Sequence, residues 1–154
     1  MTAMNKRMAK EMDGVTWRDR PLPHELSALV AQGFEELDGC VFLASLKKAG
    51  TNAKQEDFPD KTGYECFINS IHIDDFVQSD CLAFACLFIE ACFSAWKQSG
   101  ISGDLTAVIS DDESGAVVKL HRARSDEFWV SSDLENYREE AVLVAHSSSM
   151  TIKI

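Results

Sequence analysis

"SDCLAFACLFIEACFSAWKQSG", residues 79–100, is the stretch whose reading decides the fold. Leu82, Ala85, Cys86, Ile89, Phe93 and Trp96 recur at three- and four-residue spacing and form one apolar stripe, with Cys81, Phe84, Phe88, Ala91, Cys92 and Ala95 forming another beside it. Only Ala83, Leu87, Glu90, Ser94 and Lys97 are left for a wet side, so the spacing predicts a helix covered over most of its circumference. Ser79 or Asp80 suits the N-cap, Lys97 the negative end of the helix dipole, and Gly100 a left-handed ending. A membrane span needs roughly 20 apolar residues. This run is shorter and is interrupted by Glu90, which predicts a core helix instead.

Downstream, the period changes to two. "DLTAVIS", the acidic turn "DDESG" and "AVVKLHRAR", residues 104–124, read as a hairpin closed at Gly115. "EFWVSS" and "EAVLVAHSS" supply two more strands, joined by "DLENYR". Upstream, "GYECFINSIHIDDF" alternates Tyr64, Cys66 and Ile68, then Ile71 and Ile73, and the slip near Asn69 and Ser70 predicts a bulged strand. Residues 51–63 carry polar residues, Pro59 and Gly63 and read as a connection. Residues 21–38 read as an amphipathic helix on Leu26, Leu29, Val30, Phe34 and Leu37, with Pro23 in its first turn and Gly39 at its end. "CVFLASLKKAG", residues 40–50, fits either a short helix or a strand, and helix is the preferred reading. The order predicts an α+β fold, an antiparallel sheet of about five strands with the long helix buried on one face and N-terminal helices covering another part of the core.

With 154 residues, 45% of them hydrophobic, the chain can bury one sizeable core. The expected division is a basic tail, residues 1–20, as a candidate flexible segment, followed by one domain over 21–154. Lys6, Arg7, Lys10, Arg18 and Arg20 outnumber Glu11, Asp13 and Asp19 in that tail, so the rest of the chain carries more than the whole net charge of −10. Such acidity argues against phosphate-backbone binding and against an anionic membrane surface; it favours a basic partner. The five cysteines are an odd number and follow no secretory signal pattern, which predicts reduced thiols in a cytoplasmic protein, mostly packed as small hydrophobes.

Searches for nucleophile elbows, phosphate loops, dinucleotide turns, C-x-x-C pairs and H-E-x-x-H find none, so no catalytic residue, metal or cofactor is expected. The sharpest rival to that expectation is "HIDD". In a strand, His72 and Asp74 share a face and could join a metal or proton site with His121 or His146, but two ligands do not make a site. "KLHRAR" gathers Lys119, His121, Arg122 and Arg124, either as an anion contact or as cross-strand partners for Asp126, Glu127 and the acids of 133–140. The candidate partner-binding set is Asp111, Asp112, Glu113, Trp129, Asp133, Glu135, Tyr137, Glu139 and Glu140. An aromatic ringed by acids is the composition of a hot spot for a basic partner; alternatively Trp129 closes the core and the acids solvate a loop.

In character and order, "TGYECFINSIHIDD", the apolar helix and "FWVSSDLENYREEAVLV" resemble the small immunity proteins of bacterial toxin systems, those of contact-dependent growth inhibition being the nearest kind. The resemblance spans residues 20–148 and involves no diagnostic motif. It implies a non-catalytic, antitoxin-like protein that binds a cognate, basic, nuclease-type toxin, with carboxylates standing in for nucleic-acid phosphate and Trp129 or Tyr137 anchoring. Direct nucleic-acid or membrane binding is not expected. The alternative is an adaptor or subunit of a cytoplasmic complex that uses its helical N-terminal part as the contact.

Overall fold

The computed structural model describes residues 2–149 and 152. In chain order its elements are β1 (Ala3–Met4), α1 (Lys6–Met12), α2 (His24–Ala31), β2 (Phe34–Leu37), β3 (Cys40–Leu43), α3 (Ala44–Lys48), α4 (Lys61–Ile68), β4 (Ser70–His72), α5 (Cys81–Ser99), β5 (Leu105–Asp112), β6 (Gly115–Arg122) and β7 (Ala141–His146). Five strands form one antiparallel sheet in the order β1-β7-β5-β6-β4, and β2 and β3 form a separate hairpin. The fold is α+β, as the periodicities predict.

Helix α5 is the central element. Its Ala85, Cys86, Phe88, Ile89, Cys92, Phe93 and Trp96 are buried against the inward residues of the sheet, among them Ile109, Val118, Leu120 and Leu143. By length and composition α5 could cross a membrane, yet here it is packed in the protein's own core. Gly100 ends it at φ 73°, as expected. The predicted cap is different: Asp80 sits at φ 57° without capping the helix, and its carboxylate pairs with Arg20 at 2.9 Å. Glu90, assigned to the wet side, accepts hydrogen bonds from Trp17 Nε1 (3.2 Å), Arg18 Nη2 (3.2 Å) and the Ile152 backbone N–H (2.9 Å). It is an anchor for the segment before α2, and Ala83 beside it is buried.

Five sequence expectations need correction. The helix over 21–38 stops at Ala31, and Phe34–Leu37 turns back onto Cys40–Leu43 through Asp38 (φ 54°) and Gly39 (φ 82°), a two-residue turn whose twist suits a hairpin. Residues 40–50 are therefore a strand followed by a one-turn helix. The strand predicted over 64–68 is helix α4, started by Asp60, whose carboxylate accepts from the Gly63 N–H at 2.7 Å; the slip at Asn69 is the junction between α4 and β4. The first twenty residues are not a loose tail. β1 is an edge strand on β7, Met8, Met12 and Trp17 are buried, and Asn5 is 1% exposed.

The fifth correction concerns "EFWVSS", which forms no strand. Its would-be neighbour is the free side of β6, and that side is already used: the Leu120 N–H donates to Asn69 O (3.1 Å) and the Arg122 N–H to Glu65 Oε1 (3.0 Å). Residues 125–140 instead cross the outer face of the sheet, where Val130, Leu134 and Tyr137 pack on Val108, Val142 and Val144.

All five cysteines are free thiols; four are buried and Cys81 is half-buried. Burial pushes the Cys66 and Cys86 thiols up to about 12, so they behave as small apolar groups.

Candidate functional site

Sheet register gathers the acids at one end. Asp111 lies opposite Ala141 and Asp112 opposite Gly115, so the turn at Glu113 and the segment Glu139–Glu140 that leads into β7 share that end. Gly115, at φ 118°, lies directly against the Asp74 carboxylate, which adds the turn Ile73–Asp75 to the same pole. Asp112, Glu113, Glu139, Asp74 and Asp75 are exposed, whereas Asp111 and Glu140 are partly covered. Two nearby bases are engaged, Arg20 with Asp80 and Arg7 with Glu11 at 4.0 Å. The pole therefore keeps a surplus of exposed carboxylates, which favours the approach of cations.

Other predicted members of the set have internal tasks. Glu135 accepts from the Lys6 N–H (3.0 and 3.3 Å to its two oxygens), which satisfies an orphan donor at the start of α1. The Asp133 carboxylate accepts from the Glu135 N–H at 3.1 Å. Tyr137 is turned onto the sheet, and its hydroxyl accepts from the Ser131 N–H at 2.9 Å. Asn5 clamps the same loop, its Nδ2 donating to the carbonyls of Tyr137 (3.2 Å) and Glu140 (3.0 Å) while its Oδ1 accepts from the Met8 and Val142 N–H groups.

Trp129 is half-exposed at 42%, and Phe128 beside it is exposed at 74%. Neither closes the core. The Trp129 ring stands 5.5 Å from Lys119 Nζ in a cation–π contact, so the charge it engages is a base. The structure thus brings Asp111–Glu113 together with Glu139–Glu140, and sets Trp129 apart on the outer face above Lys119.

The basic strand end is used for architecture. Arg124 makes a two-pronged pair with the fully buried Glu65, Nη1 to Oε1 at 2.7 Å and Nη2 to Oε2 at 2.8 Å. Glu65 also accepts from the Val41 N–H at 2.7 Å and the Arg122 N–H at 3.0 Å, so one carboxylate ties β3 to β6. Arg122 pairs with Glu36 at 2.5 Å. The bases are paired with acids, but not across the sheet: Glu65 lies on α4 and Glu36 on the separate β2–β3 hairpin, and neither Asp126, Glu127 nor the acids of 133–140 are the partners. Sequence periodicity hid Glu65 because the segment was read as a strand.

The metal reading of "HIDD" loses its geometry. His72 ends β4 and Asp74 lies in the following 3-10 turn, so they do not share a strand face. His121 is 5% exposed, burial lowers its pKa, and its Nδ1 bonds to the Arg122 carbonyl at 2.8 Å. Among the described residues no group of three or more His, Cys, Asp or Glu side chains converges to hold a metal ion.

The model of the "Uncharacterized protein PM0498" family matches residues 3–153. The chain belongs to that family. It is 28% identical over 123 residues to "Uncharacterized protein PM0498" of Pasteurella multocida (strain Pm70), an alignment covering 72% of this chain and 77% of the relative. The family match begins at β1, within the part that the sequence alone set aside as a tail. No solved structure matches.

Proposed function

We propose that this protein is a non-catalytic cytoplasmic binding protein of the immunity type, which neutralises a basic, nuclease-type toxin through the acidic end of its sheet. The observation that carries the reading is the convergence of Asp112, Glu113 and Glu139, all exposed, on a rigid sheet end beside Asp74 and Asp75. Exposed carboxylates gathered at one sheet end steer a cationic surface towards it. Phe128 and Trp129 offer apolar anchorage on the adjoining outer face. Asp111, Glu135 and Tyr137 support that surface from behind and are not assigned direct contact.

The alternative, an adaptor docking through its N-terminal helices, has less support, since Met8, Met12, Leu26 and Val30 on those helices are turned into the core. Affinity capture from the source cell tests the proposal. The wild-type chain should retain a basic protein, and a variant carrying Asp112→Lys, Glu113→Lys and Glu139→Lys should lose it. Capture of the same basic protein by both baits would rule out the acidic end as the contact.

A further inference from the structure

Two carboxyl groups meet where α1 docks on the end of β5. Glu11, in the last turn of α1, has Oε2 buried with no N–H or hydroxyl reaching it, and the group facing it is the Asp111 carboxyl. The buried Oε2 gains a donor only when the Asp111 carboxyl carries its proton, and two ionised carboxylates in contact repel each other. Asp111 is the last inward residue of β5, and its cross-strand neighbours Ala116 and Ala141 carry no charge to relieve it. The charged and titratable groups around the pair are Arg7 on α1, Asp112 on β5, Asp74 in the turn before α5, Arg20 paired with Asp80, and the Cys81 thiol at the start of α5. Burial first, then the hydrogen bond to Glu11 and the charges of Glu11 and Asp112, push the Asp111 carboxyl up to about 7; Arg7 opposes them.

The opposite end of α1 is tied to the loop over the outer face, through Glu135 at the Lys6 N–H and through Asn5 at the Tyr137 and Glu140 carbonyls. Seating of α1 and placement of residues 133–140 are therefore one mechanical unit. We propose that α1 is a proton-dependent clasp: a proton on the Asp111 carboxyl, donated to Glu11, seats the helix, and loss of that proton loosens the helix together with the acidic loop it holds. A group that is more basic in the seated state binds its proton there preferentially. Seating is then strongest at low pH, weakens as pH rises from the ordinary carboxylate range to about 7, and levels off above it. This device does not depend on the identity of any partner.

Amide hydrogen exchange of the intact chain tests it, with protection factors corrected for the intrinsic pH dependence and the β7 amides as internal reference. For a single proton released near neutrality, protection of the Ala9–Met12 amides should fall on the order of tenfold between pH 6 and pH 8 in the wild type. In Asp111→Asn it should stay level, and in Glu11→Gln, where burial still acts on Asp111 but the neighbouring carboxylate is gone, the fall should be smaller and lie at lower pH. Wild-type protection that does not change with pH, or an unchanged fall in Asp111→Asn, would overturn the proposal. Should either variant fail to fold, the wild-type Asp111 carboxyl carbon resonance decides: a midpoint near neutrality supports the clasp, and one in the ordinary carboxylate range refutes it.

Discussion

Replacing Glu65 by alanine should be among the most damaging single changes in this chain. The side chain is fully buried and accepts four hydrogen bonds, two from Arg124 and one each from the Val41 and Arg122 N–H groups. Removing it leaves a guanidinium whose side chain is 13% exposed without its counterion, a change that typically costs ~3–5 kcal/mol. The two orphaned backbone donors add ~1–3 kcal/mol each if nothing replaces the acceptor. Allowing for partial relaxation, a loss of about 4–6 kcal/mol is expected, most of the stability of an ordinary domain. Urea unfolding followed by tryptophan fluorescence reads it as a collapse of the transition midpoint. Arg124→Met should cost less, because the remaining carboxylate keeps its two backbone donors. The double variant Glu65→Leu with Arg124→Met should recover part of the Glu65→Ala loss by removing both charges. A Glu65→Ala protein that loses less than about 1 kcal/mol would refute the assignment of this pair as the tie between hairpin and sheet.

Two further substitutions separate support from contact. Glu135→Ala removes the carboxylate that caps α1 and should lower stability by ~0.5–2 kcal/mol in thermal unfolding, with increased exchange of the Lys6–Met8 amides. Trp129→Ala exposes nothing buried in the core and should shift stability by less than about 1 kcal/mol, while weakening partner capture if the outer face contributes anchorage.

What could be read in the sequence follows from which interactions are local. Helix α5 and the β5–β6 hairpin announce themselves because their signals, an apolar stripe longer than any strand and an acidic turn closed by Gly115, lie within the segment itself. The β2–β3 hairpin was equally local: Asp38-Gly39 between apolar runs is a strong two-residue turn signal, masked by the helical spacing that runs from Leu26 to Leu37. Helix α4 was lost because Tyr64, Cys66 and Ile68 alternate only by coincidence. Tyr64 and Ile68 join the cluster around Cys40 and Phe42 and Cys66 is buried, while Glu65 between them points at Arg124.

The remaining misses are tertiary. "EFWVSS" has strand composition but finds no free edge, since Asn69 and Glu65 occupy the side of β6 where it would pair. The N-terminal segment looks like a tail by charge, and only the fold shows Asn5, Met8 and Met12 entering the core. For the candidate site, clustering of Asp111–Glu113 with Glu139–Glu140 depends on the β5–β7 register, which no local pattern encodes. The separate tasks of Glu135 and Tyr137 depend on contacts with residues 6 and 131 and were likewise hidden.

Association kinetics with the captured partner test whether the acidic end of the sheet steers a basic protein. The wild-type association rate constant should fall steeply as ionic strength rises, and the combined Asp112→Ala, Glu113→Ala and Glu139→Ala variant should associate more slowly with a flatter salt dependence, while its unfolding midpoint falls only by the loss of the Asp112 turn bond to the Ser114 N–H (2.7 Å). Identical rates and identical salt slopes for the two proteins would contradict the account.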